Sequence, residues 1–94
     1  MSLDSALLTR IVECYQFLIV VDDAFRLLLP DSADDTGEQA QVKTALRQDF
    51  HRVRRKFSTY RWTVLPWTDA TVEELNSDLT SVFRSLVRFN FMNR

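Results

Sequence analysis

Gly37 is the only glycine in this chain of 94 residues, and proline occurs only at positions 30 and 66. Sheets and tight hairpins draw on glycine wherever φ turns positive, and one glycine cannot serve several such turns. A few long helices joined by short breaks need far less of it. The chain is therefore expected to be all-α. Its length suits one domain spanning 1–94. A domain of that size buries about 60–65% of its unfolded surface, so its stability is modest unless it associates.

The spacing of apolar residues places the helices. Between residues 3 and 29 there is no glycine or proline, and Leu7, Ile11, Cys14, Leu18, Val21, Phe25 and Leu28 recur at intervals of four and three, a helical seam. Leu8, Val12, Tyr15 and Ile19 form a second stripe, with Phe17 and Val20 as a third edge. Eighteen of these twenty-seven residues are apolar, whereas a surface helix shows one stripe about 100° wide. Such a helix must be covered on most sides, and a second copy of the chain is the expected cover. Pro30 ends it, because the residue before a proline is pushed out of the helical region.

Residues 31–36 read as a polar loop. Thr36 and Gln39 then match the capping box, in which a threonine side chain and a residue three positions on satisfy each other's amides. The helix that follows carries the line Val42, Leu46, Phe50, Val53, Phe57 and Tyr60, and Pro66 forbids its continuation. A third helix is expected from Thr71, which has Glu74 at capping-box spacing, with Asp69 as the competing cap. Its seam is Val72, Leu75, Leu79, Val82, Leu86 and Phe89. The expected architecture is a small antiparallel three-helix bundle, with helices over about 3–29, 37–61 and 71–91, associating as a homodimer.

Charge is sorted along the chain. Residues 1–42 hold Arg10 and Arg26 against eight carboxylates, whereas residues 43–61 hold seven basic residues against Asp49 alone. The two blocks carry −6 and +6, concealed by a net charge of −1. Opposed fields of this kind imply a charged partner, or one part of the molecule docking on another. Lys43, Arg47, His51, Arg54, Ser58 and Arg61 lie on one line of the second helix, with Arg52 and Lys56 on its other flank. Such an array could follow a phosphate backbone, with Phe57, Tyr60 and Trp62 near enough in sequence to offer stacking surfaces. Phe57 and Tyr60 fall on the core seam, however, and no nucleic-acid-binding motif frames the segment.

Catalytic and metal chemistry find little support. A bundle metal site needs Glu-x-x-His spacing, and Gln48 stands where His51 would need a glutamate. Cys14, the only cysteine, sits on an apolar seam as a small hydrophobe and excludes an internal disulfide. There is no glycine-rich phosphate loop and no nucleophile elbow. The longest unbroken apolar run is the five residues 17–21, far short of the ~20 a membrane span requires. Trp62 and Trp67 bracket Pro66 and are expected either to close the bundle end or to meet a partner. Phe91 and Met92 lie off the seam and are the expected apolar contacts for a partner or a second copy.

The functional expectation is a small, non-enzymatic, cytoplasmic adaptor or regulator with no cofactor, metal or membrane contact. Its basic face (Lys43, Arg47, His51, Arg54, Arg61) would meet an acidic protein surface. A nucleic-acid-binding regulator using the same face is the alternative.

Overall fold

The computed structural model describes residues 5–29, 37–62 and 67–92, with the side chains of residues 61 and 62 excepted. These residues form three α-helices, α1 (Ser5–Leu28), α2 (Gly37–Trp62) and α3 (Asp69–Met92), packed together. α3 packs closely on both others. Its N-terminal turns meet those of α1, where Arg10 pairs with Asp69 and lies 4.0 Å from Glu73. Further along, Phe17 of α1 meets Phe83 of α3 edge-on at 6.3 Å, so the two helices run in the same direction. α2 runs the other way: Tyr15 meets Phe57 at 5.2 Å and Phe25 meets Phe50 at 4.6 Å. The backbones of α1 and α2 approach less closely, because aromatic rings fill the seam between them.

The sequence periodicity chose most of the core. On α3, Val72, Leu75, Leu79, Val82 and Leu86 are all buried, and Phe89 is half-buried. α2 buries Leu46, Phe50, Val53 and Phe57. From α1 come Ile11, Cys14, Val21 and Phe25, with Leu7 and Leu18 only half-buried. Two expected core residues are exposed. Leu28 gives way to Leu29, whose amide still bonds to the Phe25 carbonyl at 2.9 Å while its side chain turns into the core. The chain leaves the helix there, so the inward position moves on by one residue. Val42 lies towards the α2 N-terminus and lines an open groove instead of the core.

The helix boundaries also need correction. α1 stops one residue before the expected limit, and α2 runs one residue beyond its own. α3 begins at Asp69, and its cap is neither Thr71 nor Asp69 but Thr68. The Thr71 amide donates to Thr68 Oγ1 at 3.2 Å, while the Thr68 amide donates to Thr71 Oγ1 at 2.9 Å. This is a capping box in which Thr71 takes the place usually held by glutamate or glutamine. Thr36, the expected cap of α2, lies outside the described residues. Gly37, the first residue of α2, holds φ at +61°, a left-handed angle that glycine adopts without the Cβ penalty of other residues.

Candidate partner-binding site

The basic block of α2 is divided between two neighbours by the helix's rotation. On one flank Lys56 Nζ donates to Asp78 at 2.8 Å and to Glu74 at 3.0 Å, both on α3. Those two hydrogen bonds, Asp78 foremost, raise the Lys56 pKa above the usual lysine value. Arg52 pairs with Asp49 at 3.7 Å on the same helix. These cations are engaged within the bundle.

The other flank faces α1 across a cleft of about 560 Å³ lined by Asp22, Phe25, Arg26, Leu29, Arg47, Phe50, His51 and Arg54. The floor is the Phe25–Phe50 pair, stacked with an interplanar angle of 9°. The packing of α1 on α2 sets that floor, because both rings are buried. Arg54 lies over the Phe50 ring, 5.7 Å from its centroid, a cation–π placement. Its Nη1 is 4.0 Å from Asp22, whose other oxygen is 3.0 Å from Arg26. Arg47 Nη2 donates to the Leu29 carbonyl at 3.3 Å, a cation at the negative end of α1. Among the described residues, three guanidinium groups, one imidazole and one carboxylate thus line a cleft with an aromatic floor, and two of the guanidinium groups, those of Arg26 and Arg54, lie within 4.0 Å of the carboxylate.

Of the residues expected to form the basic face, Arg47, His51 and Arg54 come together in this cleft. Lys43 is half-buried one turn before Arg47 and is not among the lining residues. The Arg61 side chain lies outside the described residues. Arg26 joins the cleft from α1, a placement sequence reasoning missed. In sequence it reads as the i, i+4 partner of Asp22, and only the docking of α2 brings it beside Arg54 and Arg47.

The apolar contact residues lie at the far end of α3, where Phe91 and Met92 are both exposed. Met92 lines a groove of about 430 Å³ with Val42, Leu46, Phe89 and Arg88, rimmed by Glu38. Phe91 does not line it. Trp67 is half-buried among Tyr60 (5.3 Å), Tyr15 (5.8 Å) and Phe57 (6.5 Å), where it packs on the core. The Trp62 side chain lies outside the described residues.

No protein-family model, curated protein or solved structure matches this chain. Among the described residues no group of three or more His, Cys, Asp or Glu side chains could hold a metal ion, and no helix is long and apolar enough to cross a membrane. Cys14 is buried, and loss of hydration raises its thiol pKa to about 11. It is not part of the cleft.

Proposed function

We propose that the protein is a small, non-enzymatic adaptor or regulator that works as a homodimer and receives an acidic protein segment in the α1–α2 cleft. The observation that carries this reading is the convergence of Arg26, Arg47, Arg54 and His51 on one cleft in which, among the described residues, Asp22 is the only lining carboxylate. Guanidinium groups present a planar fork that matches a carboxylate in two parallel hydrogen bonds. An acidic side chain entering beside Asp22 would meet Arg54 and Arg47, and the chain behind it would cover the phenylalanine floor. Phe91 and Met92, at the C-terminal end of α3, offer an additional apolar contact, with Met92 beside the groove between α2 and α3.

Dimerisation is proposed from α1, whose exposed side chains include Leu8, Val12, Ile19, Val20 and Leu27. Full burial of each such side chain is worth about 1.5–3 kcal/mol. A cytoplasmic setting remains part of the proposal.

Nucleic acid is the competing occupant. Tracking a phosphate backbone calls for a line of available cations, whereas Lys56 is held by α3 and Arg52 faces Asp49. Phe57 and Tyr60, the nearest candidate stacking rings, are engaged in the aromatic cluster.

The test measures binding of a labelled poly-glutamate peptide and of a short DNA duplex by fluorescence anisotropy across a salt series. The peptide is expected to bind, to weaken with salt, and to be lost in Arg47→Glu/Arg54→Glu while helicity by circular dichroism is unchanged. The duplex is expected to compete poorly. A DNA or RNA complex that survives about 200 mM salt and disappears in the same double variant would overturn the proposal in favour of nucleic acid.

A further inference from the structure

We infer that Asp22 is a built-in competitor for the partner's acidic side chain: it draws Arg54 inward, and an arriving carboxylate must take Arg54 from it. The inference rests on the reading of the cleft above and adds how the affinity of that cleft is set.

The cleft lies between two helices running in opposite directions. Along it Leu29 faces Arg47, Phe25 faces Phe50 and Asp22 faces Arg54. The two arginines beside Asp22 are held differently. Arg26 Nη2 makes a close ion pair with Asp22 Oδ2 at 3.0 Å, both on α1. Arg54 Nη1 stands off from Asp22 Oδ1 at 4.0 Å across the cleft, too far for a hydrogen bond. Among the described residues the Arg54 guanidinium makes no hydrogen bond, although it rests over the Phe50 ring. Its side chain is 55% exposed, against 26% for Asp22. Arg54 thus keeps its donors for a carboxylate that approaches in the two-pronged geometry of a guanidinium pair.

Two effects oppose that approach, and both come from Asp22. Only molecules whose Arg54 is turned away from Asp22 bind at full strength, so the apparent affinity falls by their fraction. The Asp22 charge also repels an anion entering beside it. Exposed ion pairs are weak and screened, so the combined effect is about three- to tenfold. Position matters more than net charge, because Asp23, next in the chain and exposed, does not line the cleft. A positioning role for Asp22 has the opposite sign: if Asp22 aimed Arg54 at the partner, its loss would weaken binding. The 4.0 Å spacing, with the Phe50 ring already seating the guanidinium, favours competition.

The labelled poly-glutamate peptide tests this on the full chain, by anisotropy at one low salt concentration. Asp22→Asn and Asp22→Ser both remove the charge, so a folding defect in one leaves the other, and helicity is checked in each. Both should tighten binding by about three- to tenfold. Asp23→Asn makes the same change in net charge and should alter binding by less than about twofold, as a screened charge outside the cleft. Combined with Arg54→Gln, the gain from Asp22→Asn should shrink to that of Asp23→Asn. Weaker binding in the Asp22 variants at unchanged helicity would overturn the inference in favour of positioning. A gain no larger than that of Asp23→Asn, or one undiminished beside Arg54→Gln, would overturn it as a net-charge effect. Each of these results leaves the cleft reading in place, provided the peptide binds wild type and is lost in Arg47→Glu/Arg54→Glu. No binding to wild type or to either Asp22 variant would remove both the inference and the reading beneath it.

Discussion

Replacing Leu79 by alanine, alongside the same change at Leu18, separates full burial from partial burial on two seams that look equivalent in sequence. Leu79 is completely buried on α3, the helix packed against both others, whereas Leu18 on α1 is half-buried. The substitution removes the equivalent of three methylene groups, about 2.4 kcal/mol at about 0.8 kcal/mol each when all are buried. At Leu79 the helices on either side can close the space only partly, and the residual cavity raises the cost to about 3–4 kcal/mol. At Leu18 roughly half of the transfer energy is at stake and solvent fills the gap, so about 1 kcal/mol is expected. For a domain with about 5–10 kcal/mol in hand, the first change removes a large share of the stability and the second is tolerated. Urea melts at one fixed protein concentration measure both, because association would otherwise shift the midpoints. A Leu79→Ala cost below about 0.5 kcal/mol, or a Leu18→Ala cost equal to it, would refute the packing assigned to α3.

Cys14 should resist thiol reagents at mildly alkaline pH, since its pKa is raised to about 11 by burial; labelling should follow unfolding, and fast labelling of native protein would contradict its burial. Thr68→Ala should cost about 0.5–2 kcal/mol by removing the acceptor for the Thr71 amide, with faster amide exchange in the first turn of α3, whereas unchanged exchange there would reject Thr68 as the cap. Because the folded-state pKa of Lys56 is raised, its contribution is fully present below the ordinary lysine pKa and is lost as pH climbs through the raised value. The difference between wild type and Lys56→Met in thermal melts should therefore be small and constant near neutrality and shrink only at strongly alkaline pH; a difference that shrinks between pH 6 and pH 8 would count against the Asp78 and Glu74 contacts as its source.

Legibility differed from feature to feature for physical reasons. The α3 seam could be read residue by residue because burial on one side of a helix repeats every 3.6 residues and depends on nothing distant. Leu28 failed as a core residue because the helix ends there, and periodicity carries no meaning once the chain leaves the helix. The cap at Thr68 is local and was in principle readable. It was missed because the usual template expects glutamate or glutamine three residues on, and a threonine hydroxyl at Thr71 makes the same reciprocal bond. At the site, the line of Arg47, His51 and Arg54 was visible as helical spacing, but its membership in a cleft with Arg26 was not.

The amino-acid order alone determined the helical class, the three segments and most of their buried stripes, since each follows from glycine scarcity and from side chains within a turn or two of one another. Which carboxylate each cation of α2 would face was decided only by the tertiary structure. Asp22 lies 32 positions from Arg54, and Asp78 lies 22 positions from Lys56. Their encounters depend on the order, direction and rotation of whole helices. Packing the aromatic seam between α1 and α2 sets that rotation, and with it which charges are neutralised inside the bundle and which remain grouped around a cleft.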